Sequence, residues 1–178
     1  MKRAQQRFLG LPSPRQSHSN DEALPIGSLG LLDSAYLELM QQVNVLGRWQ
    51  GGTLFGEVVA GHFTVQLVTP LGPPSGAAHP LFPHMPYLLG WSDCVARGYG
   101  EAVDWYGNWL AAPDGRLPDE RADLSWLALG ASQGLFDEQH ALLMLGMHEG
   151  QLSGRAYCWQ EGQRMNVTCT FGLMASGL

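Results

Sequence analysis

Acidic side chains gather in one short stretch of this sequence, directly after a segment that looks like a strand. They are Asp119, Glu120 and Asp123. A metal-dependent hydrolase places ligands at such a strand end, because imidazole nitrogen and carboxylate oxygen bind Zn²⁺ and leave one position open for water. The end of this strand carries Leu110 and Ala112 instead, and neither side chain can bind a metal ion. The stretch is therefore either an active site that has lost its chemistry or a loop that never had any.

Histidines and cysteines are the other residues that could bind a metal or attack a substrate. The histidines are His18, His62, His79, His84, His140 and His148. No two of them have the one- or three-residue gap common to ligands on one element. His79 and His84 lie in a proline-rich loop, so a rebuilt site that joins them to Asp123 is one hypothesis, and ordinary loop histidines are the other. The three cysteines lack a basic neighbour or a partner spacing, which argues against a thiol nucleophile and a disulfide framework.

Charge is distributed unevenly along the 178 residues, whose net charge is −6. Residues 1–20 hold four basic residues and no acid, whereas the rest of the chain is acidic. An acidic body argues against a nucleic-acid surface, and no apolar run is long enough to cross a bilayer or to form a signal peptide. We expect a cytoplasmic protein with a flexible basic leader at residues 1–28 and a single domain at residues 29–178.

Hydrophobic periodicity predicts an α/β fold, a mixed β-sheet with helices packed on it. Helical spacing covers residues 32–46, 87–98 and 118–131. Strand patterns cover residues 51–59, 62–69, 102–109, 141–147, 152–160 and 165–171. Six prolines in residues 70–86 predict a long loop between the first hairpin and the second helix.

Three local motifs, in this order of elements, resemble the JAB/MPN family of JAMM metalloproteases over residues 29–171. They are Gly51-Gly52-x-Leu54-x-Gly56, then Gly107-x-Trp109 followed by Pro113, then a proline-containing loop leading to Asp123 and Trp126. The resemblance implies a JAB/MPN-like fold, which is related to that of cytidine deaminases. In active members two His and one Asp bind zinc, and a Glu moves the proton of the metal-bound water.

Carrying the family's site over position by position replaces most of its functional groups. The two His fall on Leu110 and Ala112, the Glu on Trp49, a Ser that assists the carbonyl on Glu120, and the Asp on Asp123. Aligning Trp126 instead moves the last two positions to Asp119 and Ala122. At most one of three metal ligands is present, so the resemblance implies an inactive protein that holds no zinc and no other cofactor.

The resulting hypothesis is a pseudoenzyme that acts as a protein-interaction or scaffold module. The resemblance suggests another JAB/MPN-type subunit or ubiquitin-like conjugation machinery as partner, and a homodimer is also open. The candidate contact residues are Leu81, Phe82, Met85, Tyr87 and Trp109. Two alternatives stay open: a divergent metal-dependent isopeptidase or hydrolase with a remodelled site, and a module that binds a small ligand or peptide in the vacated pocket.

Overall fold

The computed structural model describes residues 3–10, 24–72, 79–100 and 102–171, which contain four helices and seven strands. The helices are α1 (Arg3–Phe8), α2 (Asp33–Val43), α3 (Met85–Tyr99) and α4 (Glu120–Ser132). The strands are β1 (Ser28–Leu31), β2 (Gln50–Val59), β3 (His62–Pro70), β4 (Asp104–Ala111), β5 (Ala141–His148), β6 (Gln151–Gln160) and β7 (Gln163–Thr170).

The helices and strands predicted between residues 32 and 171 are confirmed, with ends that shift by a few residues. Two elements were not predicted. Helix α1 lies within the predicted leader and packs on α3 and β4 with Ala4 fully buried. Strand β1 begins at Ser28, where the leader was expected to end. Residues 11–23 of the predicted leader lie outside the described residues.

The seven strands form a closed barrel in the order β1-β3-β2-β4-β5-β6-β7. Strand β1 closes the ring, because it pairs in parallel with both β3 and β7 and places Ser28 opposite His62 and Thr168. The predicted JAB/MPN-like sheet with helices packed on it is therefore wrong. Without β1, the sequence pattern contains no strand that could join β3 to β7 and close the ring.

Helix α2 completes the interior of the barrel. Its buried residues Ala35, Leu39 and Val43 join a hydrophobic cluster to which all seven strands contribute. The helix contacts β1, β3, β5 and β6, which lie on different sides of the ring. Because one helix touches strands across the barrel, it packs over an end of the interior and removes its apolar side chains from water.

The outer face of the barrel carries a second hydrophobic cluster under the other three helices. Side chains of β2, β4, β5 and β6 pack there against residues of α1, α3 and α4, and the largest of them include Phe55, Trp105 and Leu127. This covered face is where the predicted site residues of β4 and α4 meet. Among the described residues, none of the helices combines the length and apolar character needed to span a membrane.

Candidate functional site

The residues of the predicted vestigial site come to one region of the outer face, but in different environments. Leu110 is fully buried on β4, opposite Gly51 of β2, and Ala112 is buried just beyond the strand. Asp123 is fully buried on α4, whereas Glu120 is exposed one turn earlier and forms an ion pair with Arg164 at 3.3 Å. The structure therefore separates the two acids: one faces the barrel and the other faces solvent.

Asp123 is held by two side chains of β6 that sequence reasoning did not single out. The Nε of Arg155 donates a hydrogen bond to Asp123 Oδ2 at 2.7 Å, and the hydroxyl of Tyr157 donates to the same oxygen at 2.8 Å. Arg155 also donates to the carbonyl of Pro118 at the start of α4. These contacts fasten the first turn of α4 to the strand beneath it.

The electrostatics of this network favour fixed protonation states. The hydrogen bond to Asp123 raises the pKa of Arg155, so its guanidinium stays charged. Burial, followed by the hydrogen bond to Asp123, raises the pKa of Tyr157 to about 12, so its hydroxyl stays a donor. A tyrosine with so high a pKa is poorly matched to acid–base catalysis near neutral pH. The arrangement supports positioning of α4 rather than proton transfer.

Arg155 and Tyr157 carried a sequence signal that alternation could have revealed. They stand two residues apart on a predicted strand, so both side chains point to the same face. That face also carries Trp159, which packs in the outer cluster. A charged residue followed by two aromatic residues on a covered face needs a partner, and Asp123 provides it.

A second buried polar network lies on the same face, around His140 at the entry to β5. Its Nε2 lies 3.1 Å from Asn108 Oδ1, and the indole Nε1 of Trp105 donates to the same oxygen at 3.0 Å. The amide Nδ2 of Asn108 donates to the carbonyl of Leu81 at 2.9 Å, which fixes Oδ1 as the acceptor. His140 therefore donates from Nε2 and holds the loop at Leu81 against β4 and β5.

Histidine 140 should make the fold sensitive to acid. Burial lowers its pKa well below the usual range, and the charges of Arg3 and Arg7 lower it further. Only the unfolded chain gains a proton here, so the stabilisation present above about pH 6.5 is lost as the pH falls below it. We expect this protonation of the unfolded chain to lower the free energy of unfolding by roughly 1 kcal/mol at pH 5.5, measured by urea denaturation.

The matched variants for this test are His140→Gln and His62→Gln. His140→Gln removes the buried imidazole, so its stability should change less between pH 7.5 and pH 5.5 than that of the parent protein. His62 is exposed, so His62→Gln should keep the parent's dependence. Equal pH dependence in all three proteins would show that His140 is not the group responsible.

Four aromatic rings meet at the surface beside the buried networks, and we call this set the aromatic patch: Trp49, His79, Phe82 and Trp126. The rings of Trp49 and Trp126 pack edge to face with centroids 5.1 Å apart. His79 links the two halves, at 5.9 Å from Trp126 and 4.7 Å from Phe82. His79 is exposed and the other three side chains are partly exposed, so the patch presents ring surface to solvent.

The residues predicted as a contact surface divide into exposed and buried members. Phe82, Met85 and Tyr87 are partly exposed at the start of α3. Leu81 is fully buried, and Trp109 points into the barrel, where it belongs to the inner cluster. Phe82 is thus the predicted contact residue that lies in the aromatic patch.

A cavity of about 250 Å³ adjoins the aromatic patch at Phe82. Its lining consists of Arg7, Phe82, Pro83, Met85, Gln133 and Leu135. The lining residues come from α1, the segment that leads into α3, and the turn between α4 and β5. The aromatic patch and the cavity therefore adjoin at Phe82, which belongs to both.

The proposed rebuilt metal site is not assembled among the described residues. No group of three or more His, Cys, Asp or Glu side chains in them is arranged to hold a metal ion. His79 packs on rings, and His84 is exposed immediately before α3. His18 lies outside the described residues.

The fold places this chain among proteins built on a closed barrel with mixed parallel and antiparallel strands. It is similar to the solution structure of protein DSY2949 from Desulfitobacterium hafniense, with a TM-score of 0.55 and 16% identity over 83% of this chain and 97% of that one. At this identity the likeness shows the fold alone. No family model and no curated protein matches the sequence.

The barrel and this structural likeness overturn the resemblance to JAB/MPN proteins. The identification as a JAMM-like family member is wrong. The partners inferred from that resemblance, a JAB/MPN-type subunit or ubiquitin-like machinery, lose the argument on which they rested and stay untested predictions. Any role of these residues therefore has to follow from their positions on the barrel.

Proposed function

We propose that this protein is a binding module that recognises a segment of another protein through the aromatic patch and the adjoining cavity. The observation that supports the proposal is a set of four exposed or partly exposed rings that shares Phe82 with the lining of a cavity. Aromatic side chains are enriched at the centres of protein interfaces because they bury a large area at a low cost in conformational entropy.

The rigidity of the patch follows from the polar networks beneath it. Trp126 lies one turn after Asp123 on α4, and Asp123 ties that helix to β6 through Arg155 and Tyr157. Phe82 follows Leu81, whose carbonyl accepts the hydrogen bond from Asn108. Because these hydrogen bonds tie the segments of Trp126 and Phe82 to the barrel before a partner arrives, we expect those two segments to lose little ordering entropy on binding.

The size of the cavity favours a protein segment over a whole cofactor. Pockets that enclose small-molecule ligands are typically about 300–1,000 Å³, and this cavity is about 250 Å³. It suits one side chain or one chain terminus, while the rings beside it offer area for neighbouring residues. Hydrolysis receives less support, because Asp123 is fully buried: Oδ2 is engaged by Arg155 and Tyr157, and Oδ1 is also out of reach of solvent.

Peptide selection with two tryptophan variants tests the proposal. Peptides selected from a random library on the purified protein should bind Trp126→Ala at least about tenfold more weakly, since a truncated aromatic hot spot costs about 2 kcal/mol or more. Trp91→Ala serves as the matched control. Trp91 is also a partly buried tryptophan, but it lies on α3 beside Tyr87 and outside the patch.

Binding of each selected peptide is measured by calorimetry on folded variants, with circular dichroism to confirm folding. Loss of affinity in Trp126→Ala alone supports the aromatic patch as the contact surface. Equal loss in both variants, or a selection that enriches no sequence, would overturn the proposal.

A further inference from the structure

Arg7 is a cation at the wall of the cavity, and no carboxylate of the described residues forms an ion pair with it. Its Nη1 donates to the carbonyl of Leu135 at 3.2 Å, and its Nη2 donates to the carbonyl of Gly134. The guanidinium lies over the ring of Trp105, 5.6 Å from its centroid. Among the described residues the ion pairs are those of Arg3, Arg155 and Arg164, and the Arg7 guanidinium contacts two carbonyl groups and a ring.

The surroundings of Arg7 leave its charge incompletely balanced. Burial lowers the pKa of Arg7 despite the opposing field of Asp137. The carboxylate of Asp137 is itself 3.6 Å from Arg3, which shares its charge. An arginine has five N–H donors, and the two carbonyls named above use two of them. An anion in the cavity could therefore pair with the charge of Arg7 and accept hydrogen bonds from its remaining N–H groups.

The rest of the lining is mostly apolar. Phe82, Pro83, Met85 and Leu135 form this part, and the amide of Gln133 adds one more hydrogen-bond donor beside Arg7. An apolar cavity of about 150 Å³ is enough to bind benzene. The volume of about 250 Å³ therefore has room for an apolar group of that size together with a carboxylate.

We infer that the cavity binds a monocarboxylate that carries an apolar group, with the carboxylate on Arg7 and Gln133 and the apolar group against Phe82, Met85 and Leu135. This chemistry is that of a peptide C-terminus ending in an apolar residue, and also that of a free aromatic or aliphatic acid. The inference deepens the proposed function and rests on it where the ligand is a protein terminus.

Two variants of the full chain test the cavity, one by removing its charge and one by filling its volume. Arg7→Gln removes the charge, and Met85→Trp fills the space while leaving Arg7 in place. Arg97→Gln is the charge-matched control, because Arg97 is exposed in the last turn of α3 and lies outside the lining. Circular dichroism confirms folding, and Met85→Trp provides the test if Arg7→Gln does not fold.

The probes are N-acetyl-L-phenylalanine and its C-terminal amide, titrated by NMR. We expect saturable binding of the acid and at least about tenfold weaker binding of the amide, because a charge-assisted hydrogen bond to arginine is lost. Arg7→Gln and Met85→Trp should each weaken binding of the acid by a similar factor, and Arg97→Gln should leave it unchanged. Equal affinity for acid and amide, no saturable binding of the acid, or parent-like affinity in Arg7→Gln would overturn the inference.

Two further probes separate the sources of the carboxylate: 3-phenylpropanoate, and a short peptide ending in phenylalanine with a free or an amidated C-terminus. Tighter binding of the free peptide assigns the cavity to protein termini, and tighter binding of 3-phenylpropanoate assigns it to a free acid; both outcomes support the carboxylate chemistry. Selected peptides that depend on Trp126 but not on Arg7 or a free C-terminus would overturn this inference and leave the proposed function standing. If binding of the acid depends on Arg7 but binding of the selected peptides is unaffected by Trp126→Ala, this inference stands and the proposed function is overturned.

Discussion

Replacing Asp123 by alanine is expected to lower the free energy of unfolding by about 3–4 kcal/mol, because it removes the acceptor shared by a buried hydroxyl and a guanidinium. Asp123 is fully buried, and Tyr157 would be left with a buried hydroxyl that has lost its acceptor. The side chain of Arg155 is 30% exposed, so water can solvate part of its charge, which places the loss at the lower end of the range for broken buried pairs.

Asp123→Asn separates charge from hydrogen bonding at the same position. Its carbonyl oxygen can still accept from Arg155 and Tyr157, so the variant should lose roughly half as much stability as Asp123→Ala. Glu120→Ala is the matched control on the same helix. The side chain of Glu120 is 64% exposed in its pair with Arg164, and such surface pairs contribute about 1 kcal/mol or less. Urea denaturation of the three variants measures these differences. Similar losses for Asp123→Ala and Glu120→Ala would show that the Asp123 network does not hold α4.

Replacing Gly56 by alanine is expected to cost about 3 kcal/mol or more. A Cβ atom at Gly56 would lie less than 3 Å from the carbonyl of Thr64 on β3, which is closer than real Cβ atoms come to other atoms. The position adjoins a register shift between Phe55 and Gly56, where the strand is already bent. A closed barrel cannot shift one strand without disturbing its neighbours, so the overlap has to be relieved by strain, and overpacking costs about 1–3 kcal/mol or more.

The control for this glycine is Gly98→Ala in α3. A Cβ there meets no atom within 4 Å, so alanine should stabilise the helix by roughly 0.5–1 kcal/mol. Thermal unfolding followed by circular dichroism compares both variants with the parent protein. A Gly56→Ala protein as stable as the parent would mean that β2 and β3 are not packed this closely.

Gly51 and Gly52, which belong to the motif that resembled the JAB/MPN family, are also required by close packing. A Cβ at Gly51 would overlap the carbonyl of Pro80, and one at Gly52 would overlap the indole of Trp109 and the carbonyl of Thr69. These glycines are therefore spaced to allow close contacts within this barrel. Similar spacing can arise in other folds wherever neighbouring segments pack closely against a strand. The glycine motif thus indicates close packing of this strand and does not indicate membership of the JAB/MPN family.

Local elements could be predicted because each contains its own periodicity, whereas barrel closure could not. Ser28–Leu31 has four residues with a glycine among them, too few to show alternation, and its stability comes from pairing with β3 and β7 far along the chain. The site depends on distant contacts in the same way. Asp123 was singled out only through a family resemblance that is wrong. Arg155 and Tyr157 contact it from a strand that comes to lie under α4 only in the folded protein.

Closure by β1 also sets the order in which the chain can fold. The first strand pairs with β3, which follows soon after it, and with β7, the last strand. Hairpins such as β2–β3 and β5–β6 can form from neighbouring residues, but the final seam joins distant parts of the chain, and contacts of this kind slow folding. Until β7 has been synthesised and docked, β1 and β6 each present an unpaired edge. The interval before closure is therefore the stage at which this protein is most exposed to pairing with other chains.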